Sequence, residues 1–126
     1  MSKHIIATNA APKAIGPYSQ AIRVNNTVWL SGQIPLDPAT GELVGGPIED
    51  QARRVFENLK AIVSGAGFTL DEVVKVTIFL TDLKQFATVN QVMAEYFKEP
   101  YPARATLGVA ALPRGAAIEV ECILAR

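Results

Sequence analysis

The sequence predicts one α/β domain of the α+β kind, a single mixed sheet with two helices on one face. Three observations predict it. Strand-like segments, alternating or continuously apolar, recur at Ala21–Ser31, Val73–Leu80, Ala103–Val109 and Ala116–Ala125. Between them, two stretches repeat apolar residues at helical spacing. The chain has 126 residues, 49% hydrophobic and 19% charged, and no linker, repeat or low-complexity stretch divides it, so residues 1–126 read as one domain.

Taken in order, Ala21–Ser31 holds two β-rich runs around Asn25-Asn26, and asparagine tolerates the positive φ of a two-residue hairpin turn. A short additional strand is expected at His4–Ala7, and a Gly- and Pro-rich loop runs from Gly32 to Gly46. The first helix follows. Pro47 suits its N1 position, Glu49 and Asp50 favour the first-turn dipole, and Gly67 is placed to stop it. Ala52, Val55, Phe56, Leu59, Ile62, Val63 and Ala66 make its apolar face.

Val73–Leu80 then reads as a central strand, and Val28–Leu80 as a right-handed parallel strand–helix–strand crossover. Asp82 and Gln85 have capping-box spacing before a second helix, about Phe86–Lys98, with Phe86, Val89, Met93 and Phe97 inward and Pro100 and Pro102 beyond it. The last two strands, joined by ALPRG, pair most simply as a hairpin, although the apolar density of the final one argues for a central position. With both helices on one face, Trp29, Ile123 and part of Val73–Leu80 are left uncovered, which a homo-oligomer resolves.

Composition narrows the chemistry. Twelve basic and twelve acidic residues cancel, so no field draws nucleic acid or anionic lipid, and nucleic-acid binding is not expected. The single Cys122 has no intramolecular disulfide partner, no signal peptide is read in MSKHIIATNAAPK, and the apolar runs are too short to span a membrane. A cytoplasmic location is expected. His4 is the only histidine, which argues against a Ser-His-Asp triad or a His-based zinc site. Gly65-Ala66-Gly67 follows a helix, so it is no dinucleotide fingerprint, and there is no Walker lysine. The expected mechanism uses neither metal nor cofactor.

Alternation along Ala103–Val109 places Arg104, Thr106 and Gly108 on one face. An arginine in so apolar a run needs a partner, and its planar fork matches a carboxylate bidentately. The plainer alternative is a structural ion pair or a solvated strand edge. In the last strand Ile118, Val120, Cys122 and Leu124 alternate with Glu119 and Glu121, two carboxylates that serve either as base and partner of Arg104 or as a solvated face.

Longer stretches carry a resemblance. PARATLGVAALPRGAAIEVE (Pro102–Glu121), AIGPYSQA (Ala14–Ala21), LSGQIP (Leu30–Pro35), QARRVFENLKAIV (Gln51–Val63) and FATVNQV (Phe86–Val92) together resemble the Rid family, the YjgF-type reactive intermediate deaminases. The resemblance implies a chorismate-mutase-like fold forming homotrimers, with active sites between subunits and the last strand inside the sheet. It implies hydrolysis of 2-imino and 2-enamino acids, such as 2-iminobutanoate and 2-iminopropanoate released by pyridoxal-phosphate enzymes, to 2-keto acids and ammonia.

Carried over residue by residue, it implies that Arg104 grips the substrate carboxylate and Glu119 holds or deprotonates the attacking water. Tyr18 closes the pocket from a neighbouring subunit, Gly32 offers its N–H beside Ser31, and Asn90 supports the pocket. Thr106 counts among the substrate-binding positions through its backbone and stands where many relatives carry cysteine, which puts cysteine-based regulation in doubt. Tyr18 as a packed aromatic, Gly32 as a turn residue and Asn90 as a helix-surface amide are the plainer readings. The alternative function is a non-catalytic, keto-acid-binding or chaperone-like trimeric regulator. Ribonuclease activity, attributed to some relatives, finds little support in the neutral charge and the lone histidine.

Overall fold

In the computed structural model, which describes residues 2–126, β1 (His4–Ile6) lies antiparallel to β2 (Ala21–Val24), and β2 to β3 (Thr27–Leu30). Val24 faces Thr27, so Asn25-Asn26 is the whole turn, and Asn25 takes the positive φ of 54°. α1 covers Ile48–Gly65. Pro47 is its N-cap residue rather than N1, with an extended ψ of 149° that starts the helix one residue later than expected. At the other end Gly67 takes φ 76°, its N–H reaches the Ser64 carbonyl, and Phe68 N–H reaches that of Val63. That is a Schellman motif, closed by the one residue type that enters the left-handed region freely.

β4 (Val73–Leu80) is entered through a 3-10 turn at Leu70–Glu72, whose capping box joins Thr69 and Glu72 and was missed in the sequence. Asp82 does cap, accepting from Lys84 N–H, but over a second 3-10 turn at Leu83–Gln85 that leads into α2 (Phe86–Tyr96). Gln85 contributes only its own N–H, to the Asp82 carbonyl. β5 (Ala103–Gly108) and β6 (Ile118–Ala125) complete the chain.

The strand order is β1-β2-β3-β6-β4-β5. β6 is antiparallel to both β3 and β4, so those two run parallel with the last strand inserted between them. β4 and β5 are parallel neighbours. The simplest pairing of β5 with β6 as a hairpin is therefore overturned: the Pro113–Gly115 turn carries the chain past β4 instead. β6 earns that place because its apolar side, Ile118, Val120, Cys122 and Leu124, meets the buried face of α1 and closes the core.

Cross-strand partners show which residues share a side. Arg104, Val76 and Cys122 form one row, towards the helices. Leu107, Phe79 and Glu119 form a row on the opposite, helix-free face. Trp29 and Leu107 on that face are 46% and 44% exposed. No helix among the described residues is long and apolar enough to cross a membrane.

Candidate active site

The expected site residues fall into two groups on opposite faces of the sheet. Arg104 belongs to the helix face of β5, which is the outermost strand, so the arginine is exposed at a strand edge, the solvated placement its sequence left open. α2 braces it. Nη1 donates to Asn90 Oδ1 and approaches Met93 Sδ at 3.6 Å, and the guanidinium carbon lies 5.1 Å from the centre of the Phe86 ring. A guanidinium over a ring face gains cation–π attraction while its remaining donors stay available. Asn90, Met93, Ala94, Tyr101, Pro102 and Arg104 line a cleft of about 400 Å³. Thr106 is two residues along on the same side, and its hydroxyl oxygen is buried without a hydrogen-bond partner.

Glu119 belongs to the other face, on β6 at the middle of the sheet. After β3 the chain returns to β6 at Gln33, which exchanges backbone hydrogen bonds of 2.9 and 3.1 Å with Val120. This brings Gly32 under the glutamate. A Cβ on Gly32 would lie 2.9 Å from the Glu119 carboxyl carbon, so only glycine leaves room for the carboxylate there. Burial, and after it the charge of Glu121, raises the Glu119 carboxyl above its ordinary value. A partly dry carboxylate is a better base than a solvated one.

Tyr18, Ser31 and Gly32 share with Glu119 a cavity of about 720 Å³, walled by the loops carrying Ile15, Ile34 and Arg114. Tyr18 is thus on the same protomer's side as Glu119. Ser31 spends its hydroxyl on the Ser19 carbonyl, an anchoring role rather than a free donor. Arg114 holds a left-handed backbone (φ 59°) and donates to the Gly41 carbonyl, tying two loops of the cavity rim together.

Neither Arg104 nor Glu119 takes part in an ion pair among the described residues. Cys122 is buried, with its thiol pushed up to about 12 by burial and then by Glu121, and is core rather than nucleophile. Among the described residues no group of three or more His, Cys, Asp or Glu could hold a metal ion. Sequence reasoning missed Gln20, Gln33 and Asn58, the buried amides. Asn58 donates to the Leu36 carbonyl and so fastens a cavity loop to α1. A polar residue within the apolar periodicity of α1 was the available signal.

Residues 8–126 match the family model described as endoribonuclease L-PSP. The chain is 51% identical to a 2-iminobutanoate/2-iminopropanoate deaminase of Dermatophagoides farinae, over 97% of this chain and 95% of that one. The fold superposes on the crystal structure of RidA from an Antarctic Psychrobacter with TM-score 0.94 at 51% identity, covering 98% and 99% of the two chains. It matches E. coli TdcF with bound serine at TM-score 0.92 and 45% identity, covering 98% of each chain.

Proposed function

The chain belongs to the endoribonuclease L-PSP family, the YjgF/RidA group, and from that membership we propose that it is a hydrolase of C=N bonds, converting 2-imino and 2-enamino acids to 2-keto acids and ammonia. The observation that carries this reading is the pair of unpartnered charges: a braced guanidinium for a carboxylate, and a partly desolvated glutamate for a water. Serine bound to the relative TdcF has the size and the carboxylate of such a substrate. 2-Iminobutanoate and 2-iminopropanoate, the released products of pyridoxal-phosphate dehydratases, are the substrates proposed.

Because the two charges point from opposite faces, the complete site lies between copies, with Arg104 of one protomer meeting Glu119, Gly32 and Tyr18 of the next. A homotrimer is the proposed assembly, and the exposed Trp29 and Leu107 support burial of the helix-free face against another copy.

In the mechanism Arg104 holds the substrate carboxylate in a two-pronged contact, fixing C2 of the imine. Glu119 takes a proton from water as the water oxygen bonds to C2 and returns it to the imine nitrogen, onto which the C=N π pair moves, giving the carbinolamine. Glu119 then takes the carbinolamine hydroxyl proton and passes it to the amino nitrogen, and the C–N bond breaks as the C=O bond forms, releasing ammonia and leaving the carboxylate free. No redox step occurs, so the reaction needs no electron carrier.

The test couples the purified protein to a threonine dehydratase. The wild type should speed release of 2-oxobutanoate, and Arg104→Ala should lower kcat/KM on the order of 10²- to 10³-fold, the loss of a charge-assisted carboxylate contact. Equal rates with wild type and Arg104→Ala overturn the reading.

A further inference from the structure

The motif Ala14–Ala21 gives the proposed reaction only Tyr18, yet its most fully bonded side chain is Gln20. Gln20 is 4% exposed. Its Oε1 accepts from the Thr8 N–H at 2.7 Å, and its Nε2 donates to the carbonyls of Thr8 at 3.0 Å and Pro12 at 2.8 Å, with a longer contact to Ala11 at 3.4 Å. All four go to one stretch of backbone, between β1 and β2, which belongs to no strand. The carboxamide replaces the sheet partner that this stretch lacks.

The main chain around Gln20 faces the other way. Its carbonyl accepts the Ser31 N–H at 2.9 Å, and the Ser19 carbonyl accepts the Ser31 hydroxyl. Ser31 leads directly to Gly32, against which the Glu119 carboxyl packs. One residue therefore joins the cavity wall bearing Pro12, Lys13, Ile15 and Tyr18 to the floor bearing Ser31, Gly32 and Glu119. An apolar side chain would hold β2 to the core without the cost of burying an amide. The amide is worth burying only where the course of residues 8–12 matters.

We propose that Gln20 is a positioning residue that sets the 8–18 wall, and with it the Tyr18 ring, over Glu119. The proposal rests on imine hydrolysis at this cavity. Gln20 acts through Tyr18, so its loss weakens substrate binding while Glu119 and Gly32 keep the chemistry.

A double-mutant cycle tests this on the full chain, with 2-iminopropanoate generated from alanine by an amino-acid oxidase. Gln20→Met should raise KM about tenfold with kcat kept within about twofold, and should add nothing in a Tyr18→Ala background. Gln20→Glu, which sets a carboxylate oxygen against the carbonyls of Thr8, Ala11 and Pro12, should raise KM at least as much as Gln20→Met, and a KM below that of Gln20→Met would overturn the proposal. Multiplying effects in the double variant, or an unchanged KM in folded Gln20→Met, overturn the proposal. Should the variants not fold, hydrogen exchange of the wild type decides. A Thr8 amide protected like those of β2 supports the anchor, and one exchanging like the amide of the exposed Asn9 overturns it. A wild type that gives no rate enhancement refutes imine hydrolysis instead, and the same cycle is then read on the Kd for 2-oxobutanoate.

Discussion

Arg104 and Glu119 carry opposite charges on opposite sides of one sheet, and the chain holds them by different means. Arg104 lies on the outermost strand, in a cleft of about 400 Å³, steadied by three side chains of α2: Phe86, Asn90 and Met93. Glu119 lies on the inserted strand β6, pressed against a glycine in a larger cavity whose walls are loops. An edge position lets a cation reach beyond its own chain without the penalty of burial. A central position keeps a carboxylate partly dry and lifts its affinity for a proton. In the proposed mechanism each half is placed where its own charge is useful, and neither half is a site alone.

The largest expected effect follows from that division. Arg104→Ala and Glu119→Gln should each be nearly inactive as pure proteins. Unfolded together and refolded, or co-expressed, they should regain activity. With random assortment into a ring, half the sites receive an intact arginine and half of those an intact glutamate, so about a quarter of wild-type activity should return. Absence of recovery in mixed assemblies, verified by mass, would place both charges in one chain and break the comparison.

The sequence made much of this legible where the signal is local. Asn25-Asn26, the apolar face of α1 and the stop at Gly67 follow from turn chemistry and periodicity, and the structure has them. Alternation put Arg104 and Thr106 on one face and Glu119 on the other side of its own strand from Cys122. It could not say that those faces belong to opposite sides of the sheet, because that depends on which strands are neighbours. β6 pairs with β3 across most of the chain and with β4 from 38 to 51 residues away, and no short-range pattern encodes such pairings. The hairpin expected for the last two strands failed for this reason. Gln20 and Asn58 escaped notice because the loops they fasten are held through backbone atoms, the Pro12 and Leu36 carbonyls among them, which carry no residue identity.

Glu119→Gln separates the roles by pH. Its raised carboxyl means that wild-type activity should fall on the acid side at a midpoint above the ordinary glutamate value, since the protonated form takes no proton from water. The variant should lose on the order of 10²- to 10⁴-fold in kcat together with that acid limb. Stability should move the other way. The folded chain holds the Glu119 proton more tightly than the unfolded chain, so stability falls as pH rises from the ordinary to the raised value, and the full penalty stands above it. Glutamine removes the penalty: at pH 7 the variant should melt higher than the wild type, an advantage that disappears below about pH 4. Calorimetry at both pH values checks this, and an equal or lower Tm at pH 7 contradicts the desolvation of Glu119.

The smallest effect belongs to Asn90→Ala. It takes one neutral acceptor from Arg104 and leaves the Phe86 ring and the Met93 sulfur in place. A neutral amide contact contributes about 0.5–1.5 kcal/mol, so KM should rise roughly two- to tenfold. The value of kcat and the acid limb should not change, because α2 orients the cation and has no contact with the proton-transfer half. Steady-state kinetics across pH read all three quantities. A fall in kcat as large as the rise in KM would mean that Arg104 tightens its grip during the reaction, and the arginine cleft would then share in the chemistry that the proposed mechanism concentrates around Glu119.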